Sequence, residues 1–147
     1  YYAERKILAA LPKMAKAAQA PELKAAFEKH RDQTEAQVER LIEVFGIIDK
    51  KPQGKTCPAI DGILEEGAEI MKDYKGTDAR EVWRIAQSVE HYEMSRYGTL
   101  KRWAEMLDHG DAADLLNETL EEEEQTDVDL SALADSSANP KAQMAAE

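Results

Sequence analysis

Only one cysteine, Cys57, occurs in the 147 residues. A disulfide framework is therefore excluded, as is any CxxC zinc or rubredoxin-type iron site. Glycine and proline are scarce, at seven and five residues, and long runs of valine, isoleucine and threonine are absent. Basic residues are few: 19 Lys and Arg face 30 Asp and Glu, for a net charge of −11. No Lys/Arg cluster rises above that acidic background. A nucleic-acid surface is not expected on this balance, and an anionic membrane would repel the chain. No apolar run approaches membrane-spanning length, and no signal peptide is visible. Together these absences point to a reducing, cytoplasmic setting. Tyr1 falls in the middle of a helical pattern, so the native chain is expected to begin upstream.

What remains is helix-forming material. Apolar residues make up 43% of the chain, and Ala, Leu, Glu, Lys and Met are plentiful. That composition favours an all-α fold, and the length suits one domain with a single core.

Periodicity predicts five helices. The first runs from Tyr1 to about Gln19 along Glu4, Ile7, Leu8, Leu11, Ala15 and Ala18. Pro12 lies beside that stripe and should bend the helix, not stop it. Pro21 restarts the chain as the first residue of a second helix, ending near Ile48. Its inner face reads Leu23, Phe27, His30, Thr34, Gln37, Val38, Leu41, Phe45 and Ile48, with Asp32, Glu35 and Glu39 turned away. Residues Lys50 to Thr56 form a linker. A shorter helix from Pro58 to about Tyr74 reads as a crossover. The fourth begins with an Asp78–Glu81 capping box and runs to about Leu107. Its inner face is Val82, Ala86, Val89, Glu90, Glu93, Tyr97, Leu100, Ala104 and Leu107, and His109–Gly110 closes it. Asp111 then caps a fifth helix carrying Leu115, Leu116, Thr119, Leu120, Glu123, Thr126, Leu130 and Leu133. A single domain over residues 1–134 follows, with a flexible tail at 135–147.

The short breaks at Ala20–Pro21 and His109–Gly110 make two antiparallel hairpins. The expected architecture is a four-helix bundle with a crossover helix. Within it, four acids sit on apolar stripes: Glu4, Glu90, Glu93 and Glu123. Glu4 and Gln37 are 33 residues apart, as are Glu90 and Glu123. Residues equidistant from a hairpin turn lie level, so the spacing suggests a pseudo-repeat. Carboxylates rarely go fully inside unless they are paired or bound to metal. Inward carboxylates on facing helices are how a bundle builds a two-metal site.

Bland alternatives stand beside each candidate. Glu90 could pair with an arginine at the edge of its stripe, and Glu4 could be exposed at a frayed end. Glu123 belongs to a run of four acids, with Glu122 as the register-slip alternative. Gln37 serves equally as a ligand, as a hydrogen-bonding neighbour of one, or as a plain core amide. His30 faces inward about 10 Å along the axis from Gln37. It reads as a satisfied core histidine, bonded to Thr34, ahead of a ligand. His91 lies on an outer face and His109 at a turn. Tyr97, one turn past Glu93, reads as packing with a bonded hydroxyl, and could also donate an electron or a proton.

The stretches YYAERKILAALPKMAKAA, HRDQTEAQVERL, SVEHYEMSRYGTL and ETLEEEEQTD resemble the YciE/YciF family of ferritin-like bacterial stress proteins. The likeness covers about residues 1–134. It implies a rubrerythrin-like bundle, a homodimer and a di-iron centre, with manganese as the other candidate metal. Glu4 then matches the single Glu of the first ferritin helix. Glu90 and Glu93 match a Glu-x-x-Glu, and Glu123 matches the Glu of the last helix. Two departures stand out. Gln37-x-x-Arg40 and Glu123-x-x-Thr126 replace the usual Glu-x-x-His motifs. The implied chemistry is oxidation of Fe(II) or removal of peroxide, with an external electron donor of unknown identity. The alternative is a non-enzymatic structural protein with a vestigial site.

Overall fold

The computed structural model describes residues 1–73 and 80–138. Five α-helices follow in order: α1 Tyr2–Ala17, α2 Pro21–Ile47, α3 Pro58–Asp73, α4 Arg80–Met106 and α5 Gly110–Leu133. Among the described residues there is no strand. The all-α expectation holds. Helix α1 pairs with α2, α4 pairs with α5, and α2 packs along α5 to join the two hairpins. Helix α3 is the crossover, lying against α1 and α4.

Local chemistry explains the breaks. Helix α1 runs through Pro12, which is exposed and so excludes no core packing. The chain leaves the helix at Ala18, whose backbone is extended at φ −61° and ψ 128°. Pro21 is preset for the first position of α2, where its missing N–H costs nothing. At the far end of α2, Asp49 takes a left-handed φ of 53°, and Lys50 N–H returns to Phe45 O at 2.8 Å.

The α4–α5 turn corrects the sequence reading. Its left-handed residue is Asp108, at φ 58°, and not Gly110. Aspartate tolerates that conformation better than most side chains. His109 N–H then reaches Ala104 O at 2.9 Å, and α5 starts at once with Gly110. Asp111 therefore lies in the first turn of α5. His109 holds the capping position without a side-chain cap bond.

Two apolar clusters fill the bundle, one on each side of a polar centre. Ile7, Leu11, Met14, Phe27, Ile60, Val89 and Leu130 belong to the first. Leu41, Tyr97, Ala104, Ala112, Ala113 and Leu116 form the second. Helix α3 is pinned by Asp61, which accepts from Tyr2 Oη at 2.8 Å and pairs with Lys6 at 3.1 Å. Gly67 permits close approach of α3 to α4: a Cβ there would lie 2.8 Å from Ile85 Cγ2.

Two expected inward residues are outside. Leu100 is 40% exposed and Leu107 68%. The apolar stripe of α4 continues toward the helix end, where none of the described residues covers it. Asp32, Glu35 and Glu39 face solvent as expected. The Asp78–Glu81 capping box, the side chain of Val82 and residues 139–147 lie outside the described residues. A π-helical turn, Ala134–Ala138, continues from α5 past residue 134. No helix of the described residues is long and apolar enough to cross a membrane.

Candidate metal centre

Every bundle helix sends polar side chains into the layer between the two apolar clusters. Helix α1 contributes Glu4, α2 His30, Thr34 and Gln37, α4 Glu90, Glu93 and Tyr97, and α5 Thr119 and Glu123. Glu4, Gln37, Glu90, Glu93 and Glu123 are all at most 2% exposed. The frayed-end reading of Glu4 and the edge reading of Glu90 are thereby removed. So is the solvated-run reading of Glu123, which alone among Glu121 to Glu124 is buried.

His30 corrects the sequence reading most sharply. Its ring is in the cluster, with Nε2 3.5 Å from Glu90 Oε1 and 3.9 Å from Glu123 Oε2. Thr34 donates to the backbone carbonyl of His30 at 2.9 Å and leaves the imidazole alone. Neither ring nitrogen has a hydrogen-bond partner. One ligand atom from each of His30, Glu90, Glu93 and Glu123 can be chosen so that all lie within 4.8 Å of one another. The axial distance from Gln37 does not exclude His30, because the cluster extends along the bundle. Glu90 and Glu93 are nearly one turn apart, and each anchors a different end.

The other end is built on Glu4. Tyr97 Oη donates to Glu4 Oε1. Glu93 lies against the same carboxyl, whose charge helps raise its own proton affinity. Gln37 Nε2 donates to Glu123 Oε1, and also to Glu122 Oε2 at 2.9 Å. Glu122 is thus not a register-slipped ligand. It forms a two-armed bridge with Arg40, at 2.6 and 2.9 Å, while Arg40 also donates to Thr119 at 3.0 Å. Gln37-x-x-Arg40 is therefore a bracket for the ligand helix α5. Thr126 donates to the Glu122 backbone carbonyl at 2.9 Å and makes no side-chain bond to the cluster.

Burial dominates the electrostatics of the cluster. Burial, then the charge of neighbouring carboxyls, holds Glu90 and Glu93 well above the ordinary carboxyl range. Burial raises Glu4, opposed by its bonds from Tyr97 and Glu93. Burial pushes Glu123 up to about 7. Burial also lowers His30 to about 4, so its imidazole is neutral and available as a ligand near neutral pH.

Buried polar atoms are normally satisfied. Here Glu4 Oε2, Glu90 Oε2, Glu93 Oε2, Glu123 Oε2, Gln37 Oε1 and both nitrogens of His30 are not. Oxygen donors with an imidazole suit iron or manganese. The residues present could hold a metal ion, and the orphaned atoms are the observation that says so.

Two antiparallel helix hairpins, a crossover and inward carboxylates on three of the four bundle helices define a ferritin-like protein. The chain belongs to the family described as "Domain of unknown function (DUF892)", whose model matches residues 1–143. It is 40% identical to Protein YciF of Escherichia coli K12 over 146 residues, 97% of this chain and 88% of that one. The crystal structure of the E. coli stress protein YciF superposes with a TM-score of 0.89 at 39% identity, covering 95% of this chain and 89% of that one. YcfI of Rhodopseudomonas palustris, described as a candidate structural protein, superposes with a TM-score of 0.85 at 41% identity. That match covers 89% of this chain and 85% of YcfI.

Proposed function

We propose that the buried cluster holds two metal ions, iron in the first instance, and that the protein is a di-metal carboxylate protein of the stress response. The carrying observation is the set of unsatisfied donor atoms from Glu4, His30, Glu90, Glu93 and Glu123 in one buried layer. Glu4, His30, Glu90, Glu93 and Glu123 would hold the ions. Bound iron would supply oxidation–reduction chemistry toward dioxygen or peroxide.

The chain's own groups do the rest. Gln37 fixes the rotamer of Glu123 by donating to it. Tyr97 holds Glu4 and keeps a hydroxyl proton at that carboxyl. The apolar cluster of Ile7, Phe27, Val89 and Leu130 packs over the His30 end of the layer, while Glu4, Glu93 and Tyr97 line a cavity of about 270 Å³ at the other. The stress role is supported by the likeness to E. coli YciF. The exposed stripe of Leu100, Trp103 and Leu107 supports a homodimer in which a second copy covers it. The absence of a membrane-spanning helix among the described residues is compatible with a cytoplasmic location.

The test is metal content after expression with added iron, measured per chain beside a Glu93→Ala variant. Two ions per chain, lost in the variant, is the expected result. A metal-free parent that folds no differently from Glu93→Ala would overturn the reading. The competing reading is a structural protein with a vestigial site. It draws on the description of YcfI and on Arg40, a cation standing where a ligand histidine would be.

A further inference from the structure

The cavity of about 270 Å³ beside Glu4, Glu93 and Tyr97 is built in three zones. Its inner end is the polar layer itself. Glu4 Oε2 and Glu93 Oε2 are buried there without a hydrogen-bond partner. Its middle is ring and carbon surface from Tyr2, Leu41, Phe45, Tyr92 and Leu100. The wall hydroxyls are already engaged: Tyr2 donates to Asp61, Tyr97 donates to Glu4, and Tyr92 lies 3.2 Å from Cys57 Sγ. What the wall offers a guest is therefore ring faces. The outer end opens to solvent beside Gln53, Lys55 and Arg96, all three exposed.

That outer end runs against the charge of the whole chain. Acids outnumber bases 30 to 19. Among the described residues, the acids lining the cavity are Glu4 and Glu93 alone, both at its inner end, while Lys55 and Arg96 stand at the mouth. Both cations are held in place. The Arg96 guanidinium lies 5.1 Å over the Tyr92 ring. The linker carrying Lys55 runs close along α1, where a Cβ on Gly54 would lie 3.2 Å from Tyr2 Cβ.

These zones select a guest. Cations at the mouth call for an anion, and a carboxylate there keeps part of its hydration. Ring faces call for a flat apolar body that stacks or meets them edge-on. The volume exceeds the roughly 150 Å³ that encloses a benzene, so a ring with small substituents fits. The orphaned carboxyl oxygens call for a hydrogen donor. Water or peroxide would answer the last need and leave the rings and the cations unmatched.

We propose that this cavity binds a small aromatic carboxylic acid. Its carboxylate lies between Lys55 and Arg96 and its ring against Tyr92, and a hydroxyl or amino group on the far side of the ring reaches Glu4 and Glu93. The ring keeps the guest's carboxylate apart from theirs. Binding stands on the cavity alone, and its consequence rests on the metal reading above: with ions in the layer, the far group is the part of the guest brought to them.

Calorimetric titration of the metal-free protein tests the site. The probe is para-hydroxybenzoate, and phenol is the control that lacks the carboxylate. The acid should bind about tenfold or more tighter than phenol. Exchanging both cations, Lys55→Gln together with Arg96→Gln, should remove that advantage and leave phenol binding in place. Both side chains are exposed, so the fold is not at stake. Nuclear Overhauser contacts should place the probe's ring protons against Tyr92. No binding, equal binding of the two probes, or an advantage that survives the double variant would overturn the proposal, as would a ring lodged away from Tyr92. Iron content is read separately. A protein that binds the acid but no iron loses the metal reading alone, and one that holds iron but not the acid loses this proposal alone.

Discussion

His30 Nε2 lies 3.5 Å from Glu90 Oε1, reaching across the core from α2 to α4. The contact supplies an imidazole at the end of the site where α5 offers Thr126 and no histidine. The imidazole missing from one helix is thus provided by its neighbour. His30→Ala should therefore lower metal affinity by about tenfold or more while leaving the helical content unchanged. Metal titration followed by circular dichroism measures both. Unaltered affinity would return His30 to the status of a core residue.

Glu93→Gln keeps the shape of the side chain but removes its charge. The metal-free variant should gain about 1 kcal/mol or more of stability at alkaline pH, because one of several mutually repelling buried carboxylates is gone. The same change should weaken metal binding. Urea denaturation with and without metal reads both effects, which have opposite signs only if the carboxylate serves a cation.

The pH dependence has a definite sign. Glu90, Glu93 and Glu123 have folded-state values raised above the ordinary carboxyl value, Glu123 to about 7. The folded, metal-free protein therefore holds more protons than the unfolded chain across that interval, and loses stability as pH rises. His30, lowered to about 4 from 6.5, opposes this only between those two values. Above pH 6.5 His30 no longer opposes the carboxyls, so the metal-free Tm should fall, with the lowered Tyr1 amino group and Cys57 thiol opposing that fall at higher pH. Metal must displace those protons, so its affinity should rise over the same range, with proton release into weak buffer. Thermal melts with and without metal across that range check it. A metal-free Tm that is flat or rising would contradict the assignment.

Arg40→Leu should destabilise the fold by about 1–3 kcal/mol, since Glu122 would keep its place without its strongest partner. Metal stoichiometry should survive, because Arg40 brackets α5 and holds no ion. A matched loss of metal and stability would place Arg40 in the site itself.

Trp103→Glu should yield a monomer by light scattering if a second copy covers the α4 stripe. Trp103 is 58% exposed and lies between Leu100 and Leu107 on the same face, so its charge would be buried at the interface. A parent that is already monomeric would dispose of the dimer.

Much of this structure is legible in residue spacing. Glu4, Glu90, Glu93 and Glu123 stand out as acids on apolar stripes, and all four are buried. Pro21 announces α2 because its fixed φ suits only a few positions. Three features are illegible, each for a physical reason. His30 looks too far from Gln37 along the axis, because spacing gives heights of Cα atoms and not the reach of side chains. Leu100 and Leu107 continue a periodic pattern that does not say whether a partner is present. The α4–α5 turn has a glycine two residues from where the backbone goes left-handed, and Asp108 took the role instead.

Gln37 has a consequence in charge balance. With Gln37 and His30 neutral, Glu4, Glu90, Glu93 and Glu123 can together present four negative charges when ionised. Two divalent ions would match that sum and leave the buried layer electrically neutral. A glutamate at position 37 would add a fifth negative charge and tilt the balance toward the trivalent state. In the proposed two-iron site the amide would therefore favour the reduced pair, and the Gln37→Glu variant should make bound iron easier to oxidise.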